Sequence, residues 1–254
     1  MENVDWRERW KEESRRMFDS SEAEKAFGNV FDFDTGEALL KLRHRGVIET
    51  LYGVLEAGKE SKVFLAESPD GDEVLVKIYM TRAGDFREMQ NYLKGDRRFS
   101  SSPTSRKEVV EEWCRKEYSN LKNAADQVVC PEALGFEDNV LVMEFVGRGG
   151  RAYPKLKDVD IENPDRALEV VLDGVKRLWR EEQLVHGDLS EYNVLVRDTE
   201  LVWIDFSQGV HRTHPSAREL LERDVENISD FFYRQGASVD PDSRAQRVSE
   251  ELES

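Results

Sequence analysis

Two short apolar runs carry the polar residues best suited to chemistry. Leu184-Val185-His186-Gly187-Asp188-Leu189-Ser190-Glu191-Tyr192-Asn193-Val194-Leu195-Val196 is followed by Leu201-Val202-Trp203-Ile204-Asp205. Asp188, Asn193 and Asp205 thus stand at the polar ends of strand-forming stretches. Three oxygen-bearing side chains at this spacing suit a divalent cation and a phosphate. Mg²⁺ takes oxygen donors in near-octahedral geometry and is commonly held by one or two carboxylates together with the phosphates themselves. Asn193 and Asp205 could supply that pair.

A second set lies upstream. Lys77 sits inside Val74-Leu75-Val76-Lys77-Ile78-Tyr79, where a lysine either points outward to solvent or is held inward for a phosphate. Over residues 107–125, Val110, Trp113, Glu117 and Leu121 recur at helical spacing, so Glu117 shares a face with apolar side chains. A carboxylate there wants a cation, and Lys77 is the candidate; Glu111 and Glu112 point elsewhere and read as solvated. His211 and His214 have no third ligand at metal spacing and read as surface or capping residues.

The elements that must position these groups follow from periodicity. Residues 5–18 predict an amphipathic helix carrying Trp6, Trp10 and Met17. Residues 35–45 predict a second, with Asp34 and Thr35 at its start and Gly46 as its stop. Ile48 to Leu55, Lys62 to Ala66 and Glu73 to Tyr79 are rich in β-branched and apolar residues and predict three antiparallel strands, the last two joined by Pro69-Asp70-Gly71-Asp72. The connection Glu56-Ala57-Gly58-Lys59-Glu60-Ser61-Lys62-Val63 is not a Walker loop, because the Gly-x-x-x-x-Gly-Lys-Ser/Thr frame is absent. The span 81–106 contains Phe86, Met89 and Tyr92 and then Lys94-Gly95-Asp96-Arg97-Arg98-Phe99 before a serine-rich stretch. Without a clear apolar period it predicts a mobile loop, and Arg97-Arg98-Phe99 is its candidate RNA or substrate contact. Val140 to Phe145 reads as a strand and Val146 to Arg151 as a glycine-rich linker. Asn163-Pro164 opens a helix whose apolar face is Leu168, Leu172, Val175 and Trp179. A last helical stretch runs through Leu220, Leu221, Val225, Ile228 and Phe232, and the tail from Gly236 is polar, charged and expected to fray.

Composition narrows the function classes. A formal charge of −16 and a pI near 4.8 repel nucleic acid overall, which excludes general DNA binding and confines any RNA contact to a local patch. Acidity with arginine favoured over lysine also suggests a salt-rich cytoplasm, where ions screen self-repulsion. No apolar run approaches the roughly 20 residues of a membrane span, and Met1-Glu2-Asn3-Val4-Asp5 lacks the layout of a secretory signal, so the expected location is cytoplasmic. Cys114 and Cys130 supply neither a disulfide framework nor a zinc site. At 254 residues the chain has room for one large or two modest domains.

His186-x-Asp188-x-x-x-x-Asn193, followed by Asp205, resembles the catalytic loop and metal-binding aspartate of the protein-kinase superfamily, and Val74 to Lys77 resembles its Val-Ala-Ile-Lys strand. As a set, Gly58-Lys59-Glu60-Ser61, the insertion before the Glu117 helix, His186 to Asn193, Ile204-Asp205-Phe206-Ser207-Gln208 and His214-Pro215 look like a RIO-family atypical serine/threonine kinase over about residues 35–235. The nearest branch is the first, which lacks the N-terminal winged helix of the second, and the implied source is archaeal.

The resemblance implies an α+β, bilobal kinase-like fold with an antiparallel-sheet N-lobe and a truncated, mainly helical C-lobe. Its segments are N-terminal helices at 1–46, an N-lobe at 47–146 with a mobile insertion at 81–106, a C-lobe at 147–235 and a flexible acidic tail at 236–254. It further implies ATP with Mg²⁺ or Mn²⁺ and assigns roles by position. Lys77, paired with Glu117, holds phosphates; Asp188 accepts the hydroxyl proton; Asn193 and Asp205 bind metal; and Glu144 and Val146 make hinge contacts with the nucleotide. Gly58, Lys59, Ser61 and Val63 belong to the nucleotide loop, although only Gly58 and Val63 coincide with Gly-x-Gly-x-x-Gly-x-Val, leaving Glu56 and Ser61 where glycines would be. A stiffer loop relies on backbone N–H groups, the Ser61 hydroxyl and the Lys59 ammonium. An aspartyl-phosphate at Asp205, ATPase turnover and work on a precursor of the small ribosomal subunit are also implied. The Ala-Pro-Glu element is missing, so the peptide-docking platform of ordinary kinases is not expected. A small-molecule phosphotransferase of the aminoglycoside or choline kinase type also shows His-Gly-Asp-Leu and Ile-Asp-Phe. A ribosome-assembly binding factor switched by nucleotide is the third reading.

Overall fold

The computed structural model describes residues 17–19, 33–81, 86–99, 103 and 105–238. They belong to two compact units that interleave along the chain, where the sequence suggests contiguous segments. One comprises Met1–Met89, Pro103–Tyr118 and Ala133–Gly150, the other Gln90–Ser102, Ser119–Glu132 and Arg151–Ser254. Among the described residues no helix is long and apolar enough to cross a membrane.

The first unit begins with helix α1 (Phe33–His44). It stops where expected, because Gly46 takes a left-handed φ of 71°. The Gly46 N–H then donates to the Arg43 carbonyl and the Val47 N–H to that of Leu42, which satisfies carbonyls the helix itself cannot. Strands β1 (Thr50–Ala57), β2 (Ser61–Glu67) and β3 (Glu73–Tyr79) follow. Two helices, α2 (Phe86–Leu93) and α3 (Arg106–Ala124), start in this unit, and β4 (Ala133–Glu137) and β5 (Val140–Glu144) complete its sheet. The strand order is β1-β2-β3-β5-β4, all antiparallel. Strand β4 was not anticipated, because Gly135 interrupts its apolar character; the register slips there and the Val47 side chain approaches within 3.2 Å of where a Cβ would lie.

Side chains alternate across the sheet. Val74, Val76 and Ile78 of β3 join Phe64, Val140 and Val142 in a core closed by Leu39 and Leu42 of α1. Removing apolar side chains of this size from water contributes roughly 1.5–3 kcal/mol each. Leu75, Lys77 and Tyr79 therefore lie on the opposite face. The expected helix at 5–18 lies outside the described residues except for Met17 and Phe18, both buried in the same core, with Phe18 bridging Leu51 in parallel.

In the second unit, helix α4 (Pro164–Arg177) starts as its sequence dictates: the Asn163 side chain accepts the Arg166 N–H and proline occupies the first turn. Leu168, Leu172 and Val175 are buried, but the helix then relaxes into a π-turn, Leu178–Glu182. The wider turn shifts the face, so Leu178 is buried and Trp179 only half-buried. Short strand β6 (Leu184–Val185) pairs with β9 (Val210–His211), and β7 (Val194–Arg197) with β8 (Glu200–Trp203). Helix α5 (Ala217–Arg234) buries Leu220, Leu221, Val225, Ile228 and Phe232.

Candidate active site

In the sheet unit, Lys77 lies on the central strand opposite Val63 of β2 and Leu141 of β5. It points inward: its Nζ donates to Glu117 Oε1 at 2.9 Å, with the two side chains 10% and 1% exposed. The helix face foreseen for α3 is buried as a whole, with Val110, Trp113, Glu117 and Leu121 all nearly inaccessible. Breaking a buried pair from one side costs roughly 3–5 kcal/mol, because the remaining charge is stranded. The Glu117 carboxylate also accepts a hydrogen bond from the Tyr79 hydroxyl. Gly58 closes a tight turn by donating to the Ser61 carbonyl at 2.9 Å; Lys59 is exposed, Ser61 and Val63 half-buried. Glu144, the last residue of β5, is half-buried, and Val146 beyond it is buried. The N–H groups of Gly149 and Gly150 return to the Glu73 carboxylate at 2.9 and 2.5 Å.

In the second unit, Asp188, Asn193 and Asp205 are tied together through the backbone. The Asn193 Nδ2 donates to both the carbonyl (2.8 Å) and the Oδ2 (2.9 Å) of Asp188. The Asn193 carbonyl accepts the Ile204 N–H at 3.0 Å, one residue before Asp205. His186 grips the same residue: its Nδ1 accepts the Asp188 N–H at 3.3 Å while its Nε2 meets the Ile204 carbonyl at 3.1 Å. With Nδ1 accepting, the ring proton belongs on Nε2. The ring packs on Phe206, centroids 4.5 Å apart. Asp205 itself has a left-handed φ of 62°, a conformation that non-glycine residues adopt at a cost and that concentrates at functional sites. The Ser207 hydroxyl donates to its Oδ1 at 2.7 Å.

The loop is anchored from below by a residue the sequence analysis missed. Asp224 of α5, 1% exposed, accepts the N–H groups of Gly187 (Oδ2, 2.7 Å) and Leu189 (Oδ1, 2.8 Å). Its neighbour Arg223 donates to the Gly187 carbonyl. Burial pushes the Asp224 carboxyl up to about 7 against the pull of those two N–H groups and of Arg223. Gly187 is obligatory here, since its φ is +80° and a Cβ would lie 2.7 Å from the Gln208 carbonyl oxygen.

Two expectations need correction. The insertion at 81–106 is not without structure: α2 occupies Phe86–Leu93, and Met89, Leu93, Asp96 and Phe99 are buried. Arg98 is not a free RNA contact, because the buried Asp96 requires a cation beside it. The guanidinium bonds both Asp96 oxygens (2.9 and 2.6 Å) and Asn120 Oδ1 (2.7 Å). Burial acts to raise the Asp96 pKa, but the bonds and charge of Arg98 outweigh it and hold the carboxyl below its usual range. Arg97 is exposed. Asn120, also unforeseen, donates to the carbonyls of Phe206 (2.8 Å) and Gly209 (2.9 Å), and Tyr92 donates to Gln208 Oε1 at 2.7 Å. His211 and His214 cap turns, their Nδ1 atoms accepting the N–H groups of Thr213 and Ser216.

Comparison with known proteins shows the family. The family model for the RIO domain matches residues 62–245. The chain is 44% identical over 233 residues to the RIO-type serine/threonine-protein kinase Rio1 of Haloferax volcanii, covering 91% of this chain and 80% of that one. It is 40% identical over 210 residues to the RIO-type serine/threonine-protein kinase Rio1 of Methanocaldococcus jannaschii, covering 83% and 72%. Among solved structures it is similar to the Rio2 kinase of Chaetomium thermophilum in its ADP/Mg²⁺-phosphoaspartate complex, with a TM-score of 0.68 and 21% identity over 87% of this chain and 67% of that one. That likeness establishes the α+β, kinase-like fold. The chain belongs to the RIO family and is an ATP-dependent serine/threonine protein kinase of that family.

Proposed function

We propose that, where no protein hydroxyl accepts it, the γ-phosphoryl group of ATP passes first to the enzyme's own Asp205 and then to water, and that the enzyme acts on a precursor of the small ribosomal subunit. The observation that carries the chemistry is the bonding of Asn193 to Asp188 on one side and to the residue before Asp205 on the other. The three groups are thus held in one hydrogen-bonded frame. The donor set fits a hard cation: the side-chain hydrogen bonds of Asn193 to Asp188 use Nδ2, which keeps its Oδ1 as a ligand atom, and Asp205 adds a carboxylate. Mg²⁺, or Mn²⁺ in its stead, would be held by these two and would neutralise charge on the phosphates. Lys77, oriented by Glu117, would steady the phosphates of ATP, with Gly58, Lys59, Ser61 and Val63 supplying the nucleotide loop and Glu144 and Val146 the hinge.

In the first step a carboxylate oxygen of Asp205 attacks the γ-phosphorus and the bond to the β–γ bridging oxygen breaks, releasing ADP. In the second, water attacks that phosphorus, the Asp188 carboxylate takes its proton and the bond to Asp205 breaks, releasing phosphate. Dividing one displacement into two is the general advantage of covalent catalysis. The similar Rio2 kinase, solved with ADP, Mg²⁺ and a phosphoaspartate, supports this route. Incubation with labelled ATP should give an acid-stable, hydroxylamine-sensitive label that is absent in Asp205→Ala. Hydroxylamine-resistant label mapped to serine would refute the aspartyl-phosphate. The ribosomal role rests on family membership, and any RNA contact in the insertion falls to Arg97. It predicts that Asp188→Asn accumulates on particles sedimenting with the small subunit; uniform distribution in the soluble fractions would remove it.

A further inference from the structure

We infer that Tyr79 is a positioning residue for phosphoryl transfer, acting through Glu117 on Lys77; the inference rests on the role given to Lys77 above. Lys77 and Tyr79 are two residues apart on β3 and so share a face. They divide the Glu117 carboxylate between them, with Lys77 Nζ on Oε1 at 2.9 Å and the Tyr79 hydroxyl on Oε2. The ammonium also lies 5.2 Å from the centre of the Tyr79 ring. A carboxylate held at one oxygen can rotate about its final bond and carry its partner with it. Held at both, its plane is fixed, and the direction of the ammonium is fixed too.

The tyrosine is itself pinned. Its N–H donates to the Asn139 carbonyl at 2.9 Å, and its carbonyl accepts Asn139 Nδ2 at 2.7 Å. Asn139 exchanges hydrogen bonds with the Thr35 hydroxyl of α1 at 3.0 and 3.3 Å, and Asp34 beside it meets Lys107 of α3 at 2.5 Å. A polar chain thus runs from α1 through Thr35, Asn139, Tyr79 and Glu117 to Lys77. Every residue in it is at most 8% exposed. Buried polar groups are costly unless bonded, and phenylalanine would fill the volume at position 79 without that requirement. The hydroxyl has a use that packing does not supply, and fixing the carboxylate is the one its bond defines.

Tyr79→Phe removes only that hydroxyl. Its kcat/KM for ATP should fall roughly tenfold, the size of one lost hydrogen bond to a charged group, with a melting temperature within a few degrees of the parent. The side-chain ¹⁵N resonance of Lys77 should shift or broaden, a change that a purely structural role would not produce. In a Glu117→Gln background the same substitution should add nothing, since the two act as one. Unchanged kinetics and an unmoved Lys77 resonance, or full additivity with Glu117→Gln, would overturn the inference. Should Tyr79→Phe fail to fold, 3,5-difluorotyrosine at position 79 keeps the hydroxyl and makes it a stronger donor to Glu117. The Lys77 ¹⁵N resonance must then shift, and a resonance that stays in place counts against Tyr79. Lys77→Ala separates the two levels. If it leaves ATP turnover intact, the role of Lys77 is wrong; if it abolishes turnover while Tyr79→Phe behaves as parent, only the positioning role falls.

Discussion

Each unit buries one carboxylate on the helix beside its candidate site residues, and the two are satisfied in different ways. Glu117 of α3 meets side chains, an ammonium on one oxygen and a phenol on the other. Asp224 of α5 meets the backbone N–H groups of the loop that carries Asp188. The first arrangement depends on residue type at three positions and holds a direction. The second depends on loop conformation, enforced by the positive φ of Gly187, and holds a shape. Asp224, whose two oxygens accept backbone N–H groups, is pushed by burial up to about 7.

The largest effect should come from the loop. Asp188→Asn should lower turnover by about 10²–10⁴, the usual worth of a general base, while nucleotide affinity measured by calorimetry stays within a few-fold. Near-parent turnover would mean that the loop is not the proton-handling half. On the sheet side, Lys77→Ala should lower kcat/KM for ATP by about 10² and cost roughly 3–5 kcal/mol in denaturant unfolding, because Glu117 is left uncompensated. Replacing the pair with Lys77→Met and Glu117→Leu together should restore most of the stability and none of the turnover, and recovered turnover would show that the pair is structural only.

Asp224→Asn should have a smaller kinetic effect, about tenfold, since an amide nitrogen turned toward an N–H cannot hold the loop. It sharpens the contrast through pH. A carboxyl raised from 3.8 to about 7 keeps its proton in the folded state after the unfolded chain has lost it. Its stabilising contribution is therefore complete below about pH 4 and lost as pH rises through about 7. The substitution should flatten the pH dependence of the melting temperature across that window, and an unaltered profile would rule out Asp224 as its source. The smallest effect concerns surface charge. With a formal charge of −16, the melting temperature should rise by a few degrees from low to molar salt as repulsion is screened. The Lys77 and Asp224 effects should persist at both extremes, because buried groups are screened little; their disappearance in salt would mean that those sites are wet.

The contrast between the two carboxylates also explains what could be foreseen. Glu117 was legible because an acidic residue on an apolar helical face demands a cation, and the clustering of Asp188 with Asn193 because their spacing is specific. Asp224 lies on the equally apolar face of Leu221, Val225 and Ile228 and obeys the same rule, but its partners are backbone atoms with no residue signature. The α2 helix was masked by the Gly-Ser-rich surroundings of Phe86, Met89 and Leu93, which do share helical spacing. Arg98 was misjudged because its partner, Asp96, is two residues away, a separation that neither helical nor strand periodicity flags as a contact. Tyr79 looked like the end of a strand; only the alternation that places it beside Lys77 could have pointed to Glu117.

Cys114 stands one helical turn before Glu117, with no measurable exposure, and burial raises its thiol well above the ordinary cysteine range. In the closed fold it presents no thiolate to an alkylating reagent, whereas Cys130 is only half-buried. Alkylation of Cys114 therefore requires this stretch of α3 to open. The native sequence carries a chemical clock for that opening: with Cys130 changed to serine, the rate of thiol labelling counts how often the stretch that also holds Glu117 is exposed, and nucleotide that engages Lys77 should slow it.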